Sequence, residues 1–313
     1  GPEMLEAYAA LDRDGDLTAR VFVAQHIDPG LPIDQVDSLI ARRVRFPGTR
    51  YYRPTAAKFF ADGVIESGTA ALLEPYLGTT NLGVANFRPG QLDSLVTAVD
   101  RAGIQVHIHA IGDRAIRMGL DAIEAASRIN RTRDARPILA HIQLFDPADL
   151  PRFEALGAIA SFQPLWAYAD EYITRLTEPV LGPTRSRWLY PIASMVRTGA
   201  VVVGGSDWTV SSMDPLQAIQ VAITRRAPGD SAGPAWIPEE TVDLTTMLKA
   251  YTANAAFAAR QEKVAGTLEV GKAADLIVID RDLYPIPPTE IHRARVLMTL
   301  LDGRSVYRDR ALQ

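Results

Sequence analysis

The chain has 313 residues, of which 47 % are hydrophobic and 22 % charged, and its net charge is −4. That balance suits one large globular domain, or a domain with a small appendage, and excludes a disordered chain, which carries fewer apolar residues and a larger net charge. So small a charge argues against a nucleic-acid or membrane-surface partner, and the absence of cysteine excludes disulfides and restricts any metal site to His, Asp, Glu or Lys ligands.

In chain order, an apolar run at 17–26 predicts a strand and the pattern at 33–43 a helix. A second strand is expected at 55–62, then a long loop bearing Gly and Pro, and a helix at 91–102. Residues 104–110 read as a strand, 114–129 as a strongly amphipathic helix, 137–143 as a strand and 147–156 as a helix. A strand at 158–163 leads through a looser segment to a helix at 192–198, and an apolar strand at 200–206 to a helix at 215–225. These are six βα units, with strands that are short apolar runs, as in parallel sheets covered on both faces. Six such units fit an open doubly wound sheet or the last six of an eight-stranded barrel. No Gly-rich phosphate fingerprint follows a strand, which weakens a nucleotide-binding reading.

Beyond Ile237 the texture changes. Residues 239–260 predict one Ala-rich helix, and 267–270, 274–280, 296–302 and 305–307 predict short strands separated by Gly-containing turns. The expected division is a barrel domain at 1–262 and a partial β-sandwich at 263–313. No apolar run reaches the roughly 18 to 20 residues of a membrane helix. The expected location is the cytoplasm, with the true N-terminus, where a signal peptide would lie, expected to be missing.

The residues able to carry chemistry fall on the predicted strands or directly after them. Lys58 lies on 55–62, His107 and His109 on 104–110, His141 near the end of 137–143, and Asp207 directly after 200–206. In α/β barrels the active site forms at the C-terminal strand ends. His107 and His109 are two residues apart and share a strand face, with His107 the deeper of the two.

Five stretches carry a family likeness: Lys58-Phe-Phe-Ala-Asp-Gly-Val-Ile-Glu-Ser, Val106-His-Ile-His-Ala-Ile-Gly-Asp-Arg-Ala, Leu139-Ala-His-Ile-Gln, Gly205-Ser-Asp-Trp-Thr-Val, and Gly266-Thr-Leu-Glu-Val-Gly-Lys-Ala-Ala-Asp-Leu-Ile-Val-Ile-Asp. With these the chain resembles the amidohydrolase superfamily, specifically the amidohydrolase-3 (YtcJ-like) group that includes N-substituted formamide deformylases. The resemblance implies a TIM-type (β/α) barrel and hydrolysis of an amide- or formamide-type C–N bond by a metal-activated water. It implies one or two divalent ions, zinc above all, held by Lys58, His109, His141 and Asp207. Lys58 would be N-carboxylated and bridge two metals, His109 and His141 would hold the second, and Asp207 would ligate the first and carry the proton. Chemistry agrees: imidazole and carboxylate suit divalent zinc, and a lysine made neutral by burial beside Phe59 and Phe60 can take up carbon dioxide.

Asp62, Glu66, Asp113, Gln143 and Trp208 are expected to shape a pocket for a small-molecule amide, as are Arg114, Gln163 and Trp166, while His107 supports the ligands from behind. Each has an ordinary alternative in packing, and Asp113 equally suits a helix cap. His26, near a strand end, reads as a polar surface or loop residue and His292 as structural.

The family's first strand carries a His-x-His pair. Here the only such pair is His107-Ile-His109, which belongs with the Gly112-Asp113 turn that follows it. The first two barrel strands are therefore expected to be missing, roughly 200 or more residues with their half-sandwich. The expected consequences are weak or no activity for this chain alone, and open strand edges that favour a homodimer. The alternative is a degenerate, non-catalytic barrel used for binding or assembly.

Overall fold

A computed structural model of the chain describes residues 1–131 and 134–312. It divides into two compact units, Gly1–Ile159 and Ala160–Gln313.

The first unit opens with a helix, Pro2–Arg13, that was not among the expected elements. It is held by Leu5, which packs with Leu17 and Tyr52 in a small buried cluster, and by Tyr8 stacked on Tyr52 at 6.1 Å. Strand β1 (Val21–His26) precedes the helix Gln35–Arg45, and β2 (Tyr52–Phe60) precedes a loop and the helix Gln91–Arg101. Strand β3 (Gln105–Ala110) feeds the helix Asp113–Asn130, and β4 (Ile138–His141) a short 3₁₀ turn and the helix Leu150–Leu156. The strands are parallel and adjacent in chain order, with His26 opposite Lys58, Lys58 opposite His107, Phe60 opposite His109 and Ala110 opposite His141.

Why these segments take these forms is plain in the helix Asp113–Asn130. Ala115, Ile116, Gly119, Leu120, Ile123 and Ala126 fall at helical spacing and are all buried. Gly119 sits against Ile108 of β3 and Leu139 of β4, where an added Cβ would lie 3.4 Å from each side chain. On β3 the residues Val106, Ile108 and Ala110 are buried on one face, which leaves His107 and His109 on the other.

In the second unit β5 (Ile159–Phe162), whose first residue closes the first unit, pairs in parallel with β6 (Val202–Gly204). The looser segment between them folds as short helical turns, Ile173–Thr177, Glu178–Leu181, Pro183–Ser186 and Ile192–Arg197. The helix Pro215–Thr224 is capped by Asp214, whose carboxylate accepts the Leu216 N–H at 2.9 Å. Arg225 follows it and is fully buried, its guanidinium donating to the carbonyls of Trp236, Tyr190 and Leu189. An antiparallel sheet of β7 (Leu276–Ile279), β8 (Val296–Leu301) and β9 (Arg304–Arg308) ends the chain.

Two expectations are corrected here. The helix expected at 239–260 is a 3₁₀ turn Pro238–Glu240 and two helices, Leu244–Tyr251 and Ala253–Ala258. Asp243 starts the first helix afresh by accepting the Thr246 N–H, and Thr252, at φ −127° and ψ −90°, breaks the run. The strand expected at 267–270 is a turn: the Lys272 ammonium donates to the Thr267 hydroxyl and lies 3.2 Å from the Glu269 carboxylate, with Val270 wholly exposed.

The architecture is α/β with six parallel strands, and among the described residues no strand pairing closes them into a barrel. No helix among the described residues is long and apolar enough to cross a membrane.

Candidate functional site

The C-terminal ends of β2, β3 and β4 bring Lys58, His107, His109 and His141 together in the first unit. Lys58 and His107 are register partners, and the lysine Nζ donates to His107 Nε2 at 3.4 Å. An ammonium has no acceptor, so His107 receives at Nε2 and carries its own proton on Nδ1. Burial, then the charge of Lys58 and the neighbouring His109, push the His107 pKa down to about 3. This ring is neutral throughout the physiological range. Lys58 also lies over the ring of Phe60, 5.2 Å from its centroid.

His109 stands one register step above His107. Its Nε2 lies 3.1 Å from the carbonyl oxygen of Gly63 and 3.5 Å from Asp62 Oδ1. A carbonyl only accepts, so Nε2 carries a proton. His141 should face away from His109, because it pairs with Ala110 across the ladder. It does not. The backbone turns left-handed at His141 (φ 81°) and again at Ile142 (φ 49°), and the two imidazoles meet edge to face with centroids 4.6 Å apart.

The pocket residues expected from sequence take definite places. Asp62 is buried, with Oδ1 accepting from the Ile111 N–H at 3.0 Å and Oδ2 from the N–H groups of Gly112 and Ala71, each at 2.9 Å. Burial outweighs these three donors and, with the charge of Asp113, raises its pKa to about 7. Asp113 is also buried, and its Oδ1 accepts from the N–H groups of Leu73 and Arg114. The Gln143 amide donates to Glu66 Oε1 at 3.0 Å. The loop after β2 is thus fastened to the ends of β3 and β4 at Asp62, Gly63, Glu66 and Leu73.

Asp207, Trp208, Gln163 and Trp166 belong to the second unit. Asp207 follows β6 in a left-handed conformation (φ 51°), is exposed, and accepts the Val210 N–H on its carbonyl. Trp208 is exposed, and its backbone N–H donates to Ser206 Oγ. Gln163 is buried after β5, and the Trp166 N–H donates to its carbonyl. His292 donates to Gln220 Oε1 from its backbone N–H, with Nδ1 2.7 Å from the same oxygen.

Sequence reasoning missed the Gly63 carbonyl, a main-chain group with no signature of its own. Phe60, expected to help bury Lys58, is instead exposed, and its ring lies between His26 and His109 with centroid distances of 5.6 and 5.4 Å.

Two imidazoles in contact beside a lysine are, in their neutral form, suitable donors for a divalent transition metal. They are a partial set, because among the described residues no group of three or more His, Asp or Glu side chains is placed to hold a metal ion.

A model of the amidohydrolase family matches residues 1–307. Protein LONG AFTER FAR-RED 3 of Arabidopsis thaliana is 35 % identical over 80 % of this chain and 42 % of its own length. The putative amidohydrolase YtcJ of Bacillus subtilis (strain 168) is 31 % identical over 80 % of this chain and 47 % of its own. The N-substituted formamide deformylase of Arthrobacter pascens is 28 % identical over 83 % and 47 %. The chain therefore spans about half the length of the curated relatives it matches. Among solved structures, an uncharacterized metal-dependent hydrolase from Pyrococcus horikoshii OT3 superposes with a TM-score of 0.74 at 25 % identity, covering 91 % of this chain and 55 % of that one.

Proposed function

Because the chain belongs to the amidohydrolase family, we propose that it carries the catalytic half of a metal-dependent hydrolase for an amide- or formamide-type C–N bond. The observation that carries this reading is the His109–His141 contact, which an unusual backbone turn at a strand end creates. The six parallel strands are read as strands three to eight of a (β/α) barrel, residues 1–262, with 263–313 as a partial β-sandwich. The location and any self-association through open strand edges belong to the same reading.

In this reading His109 through Nδ1, His141, and Lys58 as a carbamate hold a divalent metal, zinc first among candidates, as one ion or two. When bound, the metal polarises the scissile carbonyl and makes water acidic enough to attack near neutral pH. The chain's own residues supply the rest. The Gly63 carbonyl and Asp62 fix the tautomer of His109, an arrangement that raises ligand basicity. His107, which burial keeps neutral, meets Lys58 Nζ and holds that side chain in place. For Asp207, in the second unit, the family likeness suggests the role of proton carrier. The Glu66–Gln143 pair is assigned in this reading to contact with the small amide.

Metal content per chain, measured on protein purified without chelator, and a panel of formamides and N-acyl amino acids form the test. Metal retained by the wild type and lost with His109→Ala supports the reading. Metal-free protein whose panel stays silent after zinc is supplied refutes it for this chain. That result would favour a barrel that binds or assembles without catalysis.

A further inference from the structure

We infer that the first unit carries a second binding site, a cavity for an oxyanion with a small apolar body, at the other end of β2 from Lys58. The cavity has a volume of about 560 Å³, within the range of small-molecule sites. Its walls are Ile40, Arg43 and Val44 from the helix Gln35–Arg45, the turn at Pro47, Gly48 and Thr49, and Arg53 at the start of β2. Arg53 and Lys58 are five residues apart on one strand, roughly 16 Å, so this is not the histidine site.

Two guanidiniums line the cavity, and among the described residues neither has a carboxylate partner. Each is held at one edge by main-chain oxygen instead. Arg43 donates from Nη1 to the carbonyls of Ala102 and Gly103 at 3.4 and 3.1 Å. Arg53 donates from Nε to the Thr49 carbonyl at 2.8 Å. A neutral carbonyl orients a guanidinium without cancelling its charge. The unused N–H groups then form the planar fork that suits carboxylate or phosphate oxygens. Thr49 donates its hydroxyl to Asp12, whose carboxylate makes no ion pair with either arginine. No lining residue is acidic, in a chain whose net charge is −4.

The same walls set the rest of the ligand. Ile40 and Val44 are exposed apolar side chains, Val44 at 77 %, and Pro47 lies beside them. An inorganic ion meets only the arginines, whereas an organic phosphate or carboxylate also covers this surface. The turn that forms the floor is fixed, because Gly48 has φ 78° and any Cβ there would overlap the Tyr52 carbonyl.

Isothermal titration calorimetry on the full chain with phenyl phosphate, benzoate, inorganic phosphate and benzyl alcohol tests this. Phenyl phosphate or benzoate should bind once per chain, about tenfold or more tighter than inorganic phosphate, with no heat from benzyl alcohol. Which of the two binds better tells whether the site prefers phosphate or carboxylate. Arg43→Gln and Arg53→Gln should each weaken binding about tenfold or more, the scale of a charge-assisted hydrogen bond. Val44→Glu, at an exposed position that leaves both arginine anchors untouched, should abolish it. Absence of binding by both aromatic anions overturns the proposal, as does binding that all three variants retain. Metal content does not enter, so failure here leaves the histidine site unaffected.

Discussion

His141 touches His109 edge to face, although its register partner across the ladder is Ala110. Side chains on adjacent parallel strands share a face only in register, so an undistorted β4 would turn the two imidazoles away from each other. The left-handed backbone at His141 and Ile142 is costly for non-glycine residues, and costlier still at β-branched Ile142. It brings one more nitrogen donor to the rim that already carries Lys58 and His109.

Replacing Ile142 by glycine should relieve that backbone cost but cut a wholly buried side chain from the core. The second effect is the larger, about 2 kcal/mol or more against about 1 kcal/mol. Ile142→Gly should therefore lower stability in urea unfolding and loosen the His109–His141 pair. The loosening would appear as line broadening of both imidazoles in histidine-detected NMR spectra.

Asp62 should leave a mark on stability against pH. Its folded pKa of about 7 lies above the ordinary carboxylate value, so the folded chain holds a proton that the unfolded chain releases between about pH 4 and 7. Stability from this group is complete below about pH 4 and is lost as pH rises to 7. Asp62→Asn cannot accept from three backbone donors on two oxygens and should be less stable than wild type. The deficit should shrink between pH 4.5 and 7.5. A deficit that grows over that interval would show the carboxylate to be stabilised in its ionised form.

His107 works in the opposite sense. Its folded pKa of about 3 lies below the ordinary imidazole value, so the unfolded chain binds the extra proton between about pH 6.5 and 3. Stability is therefore lost as pH falls through that window. The two windows overlap, and wild-type curves show only their difference. His107→Gln should flatten the acid side while leaving the Asp62 trend in place, as chemical denaturation at half-unit pH steps would show.

Much of this site was legible in the sequence because it depends on period 2. Lys58, His107 and His109 sit on apolar runs readable as strands, where residues two apart share a face, and the structure sets the first two opposite each other. The turn at His141 was not legible, since nothing local in His-Ile asks for a positive φ. Nor was the Asp62 clamp, whose donors at Ile111 and Gly112 lie about fifty positions away and are main-chain groups. The helix expected at 239–260 failed for a different reason: Ala-rich composition favours a helix throughout, whereas the Asp243 cap and the Asn254 side chain, which donates to the Val202 carbonyl at 2.9 Å, fix two shorter ones.

Gly112 shows how tightly the clamp is built. A Cβ there would lie 2.1 Å from the Ala71 carbonyl oxygen, the same strand-to-loop approach that lets Asp62 reach the N–H groups of Ala71 and Gly112. Its φ of −83° is ordinary, so the requirement is for space and not for conformation. Gly112→Ala should cost about 2 kcal/mol or more by forcing the loop away. Limited proteolysis should then cut within the loop between β2 and the helix Gln91–Arg101 sooner than in wild type.

Arg225 offers the clearest stability test in the second unit. Its guanidinium is fully buried, donates to three main-chain carbonyls, and lies over Trp236 at 4.8 Å. Burial lowers its pKa to about 10, which leaves it charged at neutral pH. Arg225→Ala removes the donors of three carbonyls and opens a cavity, and should cost about 3 to 5 kcal/mol. Arg225→Lys keeps a charge but not the planar fork, so it cannot serve carbonyls of residues 189, 190 and 236 together. It should recover less than half of that loss in urea unfolding. A lysine variant as stable as wild type would mean that charge alone, without the fork geometry, holds this part of the unit together.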